Sequence, residues 1–192
     1  DFRNDLVENY LKAAEFFTTK GYYVIRIGSI VEQPFITNNK MIIDYPLTKY
    51  QSDFMDFFIC ANCQFGFGNT SGALDLCNVF RKPIGVVHVP IFEFQTWSEK
   101  IFIITKKHYS LNLKRFLKLS EIFHLPLQEL IRTEGYEKNN IKLVNLTSDE
   151  RKDFAIETTE HFEKNINDTK KNENQLKFKK LYVNLIDESS MN

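Results

Sequence analysis

A chain of 192 residues is long enough to bury the core of one domain, or of one domain with an appendage. Its apolar content of 43% is that of a globular protein, and 25 basic against 25 acidic residues remove the bulk charge that draws proteins to nucleic acid. No window approaches the roughly 18 continuous apolar residues of a membrane-spanning helix, and Asp1-Phe2-Arg3-Asn4-Asp5 is too polar to begin a secretory signal. The first residue is not Met and falls at the threshold of a helix, so the chain reads as the C-terminal part of a longer protein.

Residues 5–19 carry Leu6, Tyr10, Leu11, Ala14 and Phe17 on one face, an amphipathic helix that Asp5 or Asn4 can cap and Lys20-Gly21 can end. The segment YYVIRI at 22–27 is β-branched and aromatic, as buried strands are, with Arg26 near its C-terminal end. An arginine there is costly unless paired or facing a cleft. It suits either an anion clamp at the C-terminal edge of a sheet, where open α/β folds bind ligands, or a salt bridge to Asp44 or Asp56. A second strand at 40–44 ends on Asp44, which fits capping of the next turn or contact with a ligand.

Ser52 opens a helix with carboxylates, Asp53 among them, in its first turn, as the helix dipole prefers. A third strand at 64–67 runs into Gly68-Asn69-Thr70-Ser71-Gly72, and a helix follows with Ala73, Leu76, Cys77 and Phe80 at helical spacing. Such a junction of strand, small-residue loop and helix start offers free N–H groups and partial positive charge to a phosphate; it also fits a plain turn capped by Thr70 or Ser71. Pro83 breaks that helix, and IGVVHV at 84–89 is a fourth strand with His88 near its end. Strands alternating with helices at these lengths predict a doubly wound, mainly parallel sheet.

Beyond Pro90 the pattern loosens. Residues 100–105 are β-prone, 114–123 and 127–131 look helical, and 141–146 read as a last strand. Thr147-Ser148-Asp149-Glu150 resembles a capping box opening a helix through His161 and Phe162. Residues 165–174 have the composition of a solvated linker, and 175–192 contain a closing helix and tail, which leaves 1–164 as the main domain.

Cys60, Cys63 and Cys77 suit a reducing compartment and read as buried free thiols. The CxxC spacing of Cys60 and Cys63 would need two more ligands to make a zinc site, and His88 is the only histidine near in sequence. No GxSxG, HExxH or Walker loop occurs, and the glycines after the third strand do not make a dinucleotide fingerprint. A phosphate-friendly loop, an arginine at a strand end and carboxylates near both are parts that suit a nucleotide diphosphate.

DFRN at 1–4, GYYVIRIG at 21–28, IIDYP at 42–46, SDFMDFFICANCQFGFGNTSG at 52–72 and FRKPIGVVHVP at 80–90 together resemble the C-terminal half of a bacterial glycosyltransferase family found in surface-polysaccharide and O-antigen gene clusters. The resemblance fades after about Thr105. It implies the second Rossmann-like half of a two-domain (GT-B) enzyme, with the N-terminal partner domain lying outside this chain. That half holds a nucleotide-diphosphate sugar as substrate, while a glycan or lipid-linked acceptor sits mainly against the other. Such enzymes need no metal; basic side chains and helix N-termini stabilise the leaving diphosphate. By position the resemblance gives Arg26 to the diphosphate and Asn69, Thr70, Ser71 and Gly72 to phosphate or sugar. It makes Asp44, Ser52, Asp53 and His88 weaker candidates for base, ribose or sugar contacts, names no catalytic base, and puts the protein in the cytoplasm or peripherally at the inner face of the plasma membrane. Two other functions fit the same residues. One is a nucleotide phosphoribohydrolase, although its PGG motif is absent and Asp75 stands nearest the place of its glutamate; the other is a non-catalytic module that binds a nucleotide or a partner.

Overall fold

The computed structural model describes residues 5–89, 100–125, 130, 132–163, 177 and 180. Residues 1–4, the expected linker at 165–174, most of the closing segment at 175–192 and most of the 127–131 helix lie outside that set. The first apolar stripe begins as a 3-10 turn, Val7–Tyr10, and continues as α1 (Leu11–Thr19). Gly21, at φ +86°, takes the left-handed conformation that ends helices and that glycine adopts without a steric penalty. The strand β1 (Val24–Arg26) then pairs in parallel with β2 (Ile42–Asp44), setting Arg26 opposite Asp44.

Two serines start the next helices. Ser52 accepts the Met55 N–H at 3.3 Å to begin α2 (Asp53–Asn62). After β3 (Gly66–Asn69), Ser71 does the same for the Leu74 N–H at 3.4 Å to begin α3 (Gly72–Val79). Each hydroxyl satisfies a donor that the first turn leaves open. The strands β3, β4 (Ile84–Val89) and β5 (Ile101–Thr105) form a parallel sheet in that order.

Side-chain alternation along these strands puts helices on both faces. Ile84 and Val86 of β4 and Ile101 and Ile103 of β5 pack with Cys60 of α2 and Leu74 and Cys77 of α3. Val87 and the alternate residues Phe102 and Ile104 pack instead with Phe154 of a later helix, Ser148–Glu163 (α6), while Ala13 and Phe17 of α1 meet Ala155 and Phe67. Gly85 makes the second contact possible: a Cβ there would come within 2.8 Å of Phe67 and 2.9 Å of Thr158.

The remainder departs from the expected pattern. β6 (Lys107–Ser110) pairs antiparallel with β7 (Arg115–Phe116) on one side and, across α4 (Leu119–Ile122) and α5 (Thr133–Lys138), with β8 (Ile141–Val144) on the other. The helix expected over 114–123 is therefore a short strand followed by one helical turn, where Arg115 grips Glu121 through two bonds of 2.6 and 2.8 Å. The last strand joins this separate antiparallel sheet rather than the parallel ones. The capping box at Thr147 is realised: Glu150 N–H donates to Thr147 Oγ1 at 3.2 Å, and Thr147 N–H donates to Glu150 Oε2 at 2.9 Å, opening α6 (Ser148–Glu163). Among the described residues the architecture is mixed α/β with two parallel sheets and one antiparallel sheet. Among the described residues no helix is long and apolar enough to cross a membrane.

Gly85→Ala tests the close approach of α6 to the sheet. With the partly buried Phe67 and the buried Thr158 packed against that position, the variant is expected to lose about 1–3 kcal/mol in urea unfolding. A change below about 0.5 kcal/mol, the range of ordinary surface substitutions, would contradict that packing.

Candidate functional site

The strand β3 runs to Asn69, two residues beyond the stretch its sequence suggests, so two of its four residues are glycines. Gly66 is required by packing, since a Cβ would meet Leu74 at 2.8 Å, Ile84 at 3.2 Å and Cys77 at 3.3 Å. Gly68 and Gly72 differ: nothing lies within 4 Å of where their Cβ would stand, and neither has a positive φ. Neither backbone conformation nor packing demands glycine at these two positions. Asn69 stands opposite Val87 of β4 at the C-terminal end of the parallel sheet. Thr70 links it to Ser71, the cap of α3, and Gly72 is the first helical residue. Asn69 to Gly72 thus line a strand end and a helix start, with Ser71 and Gly72 exposed.

Arg26 and Asp44 are brought together at the ends of β1 and β2. Arg26 Nη1 lies 3.1 Å from Asp44 Oδ1 and donates to the Gln33 carbonyl at 2.7 Å; Asp44 Oδ2 also accepts the Phe35 N–H at 2.6 Å. Both side chains are about 16% exposed. Asp44 therefore organises the 33–35 segment as well as the arginine. These contacts all use one guanidinium nitrogen, and a guanidinium carries five N–H donors. Ile27, next in the chain, packs into the cluster of Cys60, Leu74 and Cys77, which anchors the end of β1 beneath α2 and α3. Ser52 serves as the cap of α2 and Asp53 occupies its first turn, exposed.

His88 is placed elsewhere. It sits at a bulge in β4, at φ +64°, a conformation uncommon for any residue but glycine. The extra residue resets the side-chain alternation, so that Val89 returns to the α3 side with Ile84 and Val86 while His88 faces the first turn of α6. Its ring is buried. Nε2 accepts the Leu146 N–H at 2.9 Å and lies 3.0 Å from Arg151 Nη2, so the neutral ring carries its proton on Nδ1, which stands 3.1 Å from Asp5 Oδ2. Arg151 donates to the same Asp5 oxygen at 2.7 Å and to the Leu146 carbonyl, and its guanidinium lies 5.2 Å from the centre of the Tyr10 ring. Burial pushes the Asp5 carboxyl up, but His88, Asn9 and the Arg151 charge outweigh it and hold the group well below the usual carboxylate range. Burial lowers the pKa of His88 despite the opposing Asp5 charge. His88 thus joins the chain's start, β4 and α6, and is not open to a ligand at the strand end.

Asp5 and Arg151 are the residues that sequence reasoning missed. Asp5 was legible only as a helix cap. Arg151 carried a signal, since Arg151, Phe154, Ala155, Thr158 and Thr159 follow helical spacing along the buried face of α6.

A separate open groove of about 330 Å³ lies beside α6, with Glu150, Asp153 and Glu157 along it and Lys107 ion-paired to Glu150. Its carboxylates make it the wrong place for an anion. Among the described residues no group of three or more His, Cys, Asp or Glu side chains could hold a metal ion. Compared with known proteins, the chain matches no family model, no curated protein and no solved structure.

The buried network and the buried histidines are each open to test. Arg151→Met should cost about 3–5 kcal/mol because it leaves the Asp5 carboxylate buried without its cation, while Arg151→Met with Asp5→Asn should cost clearly less than the sum of the two single changes. Urea unfolding of the four proteins checks this; additivity would contradict the coupling. The depressed histidines set the pH response. The stability that each contributes as a neutral ring is complete above the ordinary histidine pKa of about 6.5 and is lost as pH falls below it. Burial also lowers His108, to about 4. Wild-type stability should therefore fall from pH 6.5 toward pH 4. His88→Asn should flatten part of that slope, and His108→Asn should remove about 3 kcal/mol of it.

Proposed function

We propose that this chain is the nucleotide-sugar-binding half of a GT-B glycosyltransferase, Rossmann-like and doubly wound, which presents a nucleotide-diphosphate donor to a glycan or lipid-linked acceptor held mainly by another domain of the same protein. The observation that carries the reading is the pair Gly68 and Gly72. Both lie at a strand-to-helix junction, and both have open space where a side chain would be. Glycine in such a place admits the close approach of a ligand to the backbone. The helix N-terminus at Ser71 and Gly72 supplies N–H groups and partial positive charge where the diphosphate would lie. Helices on both faces of the β3–β4–β5 sheet support the doubly wound reading, because open α/β sheets bind ligands beyond the C-terminal ends of their strands.

In this reading Asn69, Thr70, Ser71 and Gly72 hold phosphate or sugar. Arg26, oriented by Asp44, turns its remaining donors to the diphosphate. As the glycosidic bond to the donor breaks, negative charge grows on the leaving diphosphate, and donors already aimed there lower the barrier without metal. Ser52 and Asp53 are placed at the start of α2 for sugar or ribose hydroxyls. Phe54, Phe57 and Phe58 on α2 remain exposed, which supports reading this unit as one that packs against a partner domain.

Thermal unfolding with UDP, GDP, CMP and their sugar conjugates tests the reading. A ligand at ~100 times its dissociation constant should stabilise the protein by about 2.7 kcal/mol. Gly68→Ala and Gly72→Ala should leave the free protein's stability within about 0.5 kcal/mol, since their Cβ atoms meet nothing, yet abolish the shift. A shift that survives both substitutions, or no shift with any nucleotide, would contradict the assignment. Release of free base from a nucleoside monophosphate would favour the phosphoribohydrolase instead.

A further inference from the structure

The sequence draws attention to Cys60 and Cys63 as a CxxC pair, but the fold pairs Cys63 with a different thiol. Cys63 caps the C-terminal end of α2, and Cys77 lies on the inner face of α3; their sulfurs are 3.9 Å apart. Cys60 is fully buried and its thiol is directed to the Ala73 carbonyl at 3.6 Å. All three cysteines are free. Cys63 is partly buried, whereas Cys77 is 3% exposed.

We propose that Cys63 and Cys77 are a redox-responsive dithiol that closes to a disulfide behind the Gly68–Gly72 junction, with Cys63 as the attacking thiol and Cys77 as the resolving one. This goes beyond the donor-binding reading and does not depend on it. A disulfide requires the sulfurs to close to about 2.05 Å, a movement of roughly 2 Å that side-chain rotation can supply in part. Residues 63–77 would then form a covalent ring containing β3, the junction and the first six residues of α3, fixing α3 to the end of α2.

The chemistry balances with a small disulfide such as oxidised glutathione as the oxidant. The Cys63 thiolate attacks one sulfur of glutathione disulfide, forming a mixed disulfide and releasing one glutathione thiolate. Cys77 then loses its proton to solvent and attacks the Cys63 sulfur, releasing the second glutathione thiolate. Two protein thiols are oxidised and one small disulfide is reduced to two thiols. The environment suits each role. The hydrogen bond with Cys77 lowers Cys63 to about 7 against the opposing effect of burial, with Lys82 assisting. The same contact, burial and the neighbouring thiols push Cys77 up. Its largest cause, the bond to Cys63, disappears once Cys63 is in the mixed disulfide, which frees Cys77 for the second step.

The full chain, reduced and then exposed to oxidised glutathione at pH 7.5, is alkylated and cleaved on the amino side of aspartate. That separates 56–74, holding Cys60 and Cys63, from 75–148, holding Cys77. The expected map shows two of three thiols lost, 56–74 joined to 75–148, and alkylation confined to Cys60, all reversed by dithiothreitol. In Cys63→Ala the two peptides should remain unlinked. A Cys60–Cys63 bond within 56–74, a glutathione adduct that stops at Cys63, or full alkylation of all three thiols in the unchanged chain would each overturn the proposal.

Discussion

The buried contact of Asp5, His88 and Arg151 is the constraint on which the arrangement of the other elements depends. Asp5 and Arg151 form an ion pair with side chains 1% and 0% exposed, and an unpaired charge at that depth is costly. Each member comes from a different part of the chain: the approach to α1, the end of β4 and the first turn of α6. Their meeting fixes α6 against the sheet on the face that Gly85 leaves open, and brings Tyr10 over the guanidinium. It also accounts for the left-handed backbone at His88. The bulge turns that ring toward α6, where Leu146 and Arg151 satisfy Nε2, and the neighbouring contacts maintain a conformation that costs on the order of 1–3 kcal/mol.

The same bulge sorts the candidate site residues. With His88 committed to the α6 side, the C-terminal edge of the parallel sheet is left to Asn69, Thr70, Ser71 and Gly72. Arg26 and Asp44 occupy the corresponding edge of the two-stranded sheet, already held in position by each other. The diphosphate proposed above would draw on the α3 N-terminus and the Arg26 guanidinium, whereas Glu150, Asp153 and Glu157 disfavour an anion in the groove beside α6.

Much of the α/β half was legible because its signals are local. Serine caps at Ser52 and Ser71, the proline stop at Pro83 and the IGVVHV run each mark an element through its own residues, and the capping box at Thr147 placed α6 correctly. What failed depends on partners outside the element itself, near or far in the chain. The 114–123 stretch has helical spacing, yet Tyr109 and Ser110 capture Phe116 and Arg115 as a strand. The 141–144 strand looks like any other until β6 pairs with it antiparallel. At the site, Arg26 was open to either a clamp or a salt bridge to Asp44, and the register of β1 on β2 supplies the bridge. The role of His88 was hidden because its partners are 58 and 63 residues away. The Cys63–Cys77 approach was hidden for the same reason, since helix packing and not CxxC spacing brings those sulfurs together.

The central claim is that the Gly68–Gly72 junction receives a nucleoside diphosphate on its backbone N–H groups. Two-dimensional amide NMR of the labelled chain, titrated with the diphosphate that gives the largest thermal shift, tests it most directly. The account predicts that the resonances of Gly68, Asn69, Ser71 and Gly72 move first and furthest, with a smaller response along β1 near Arg26. Displacements confined to the α6 groove, or none at the junction when the ligand is saturating, would contradict it.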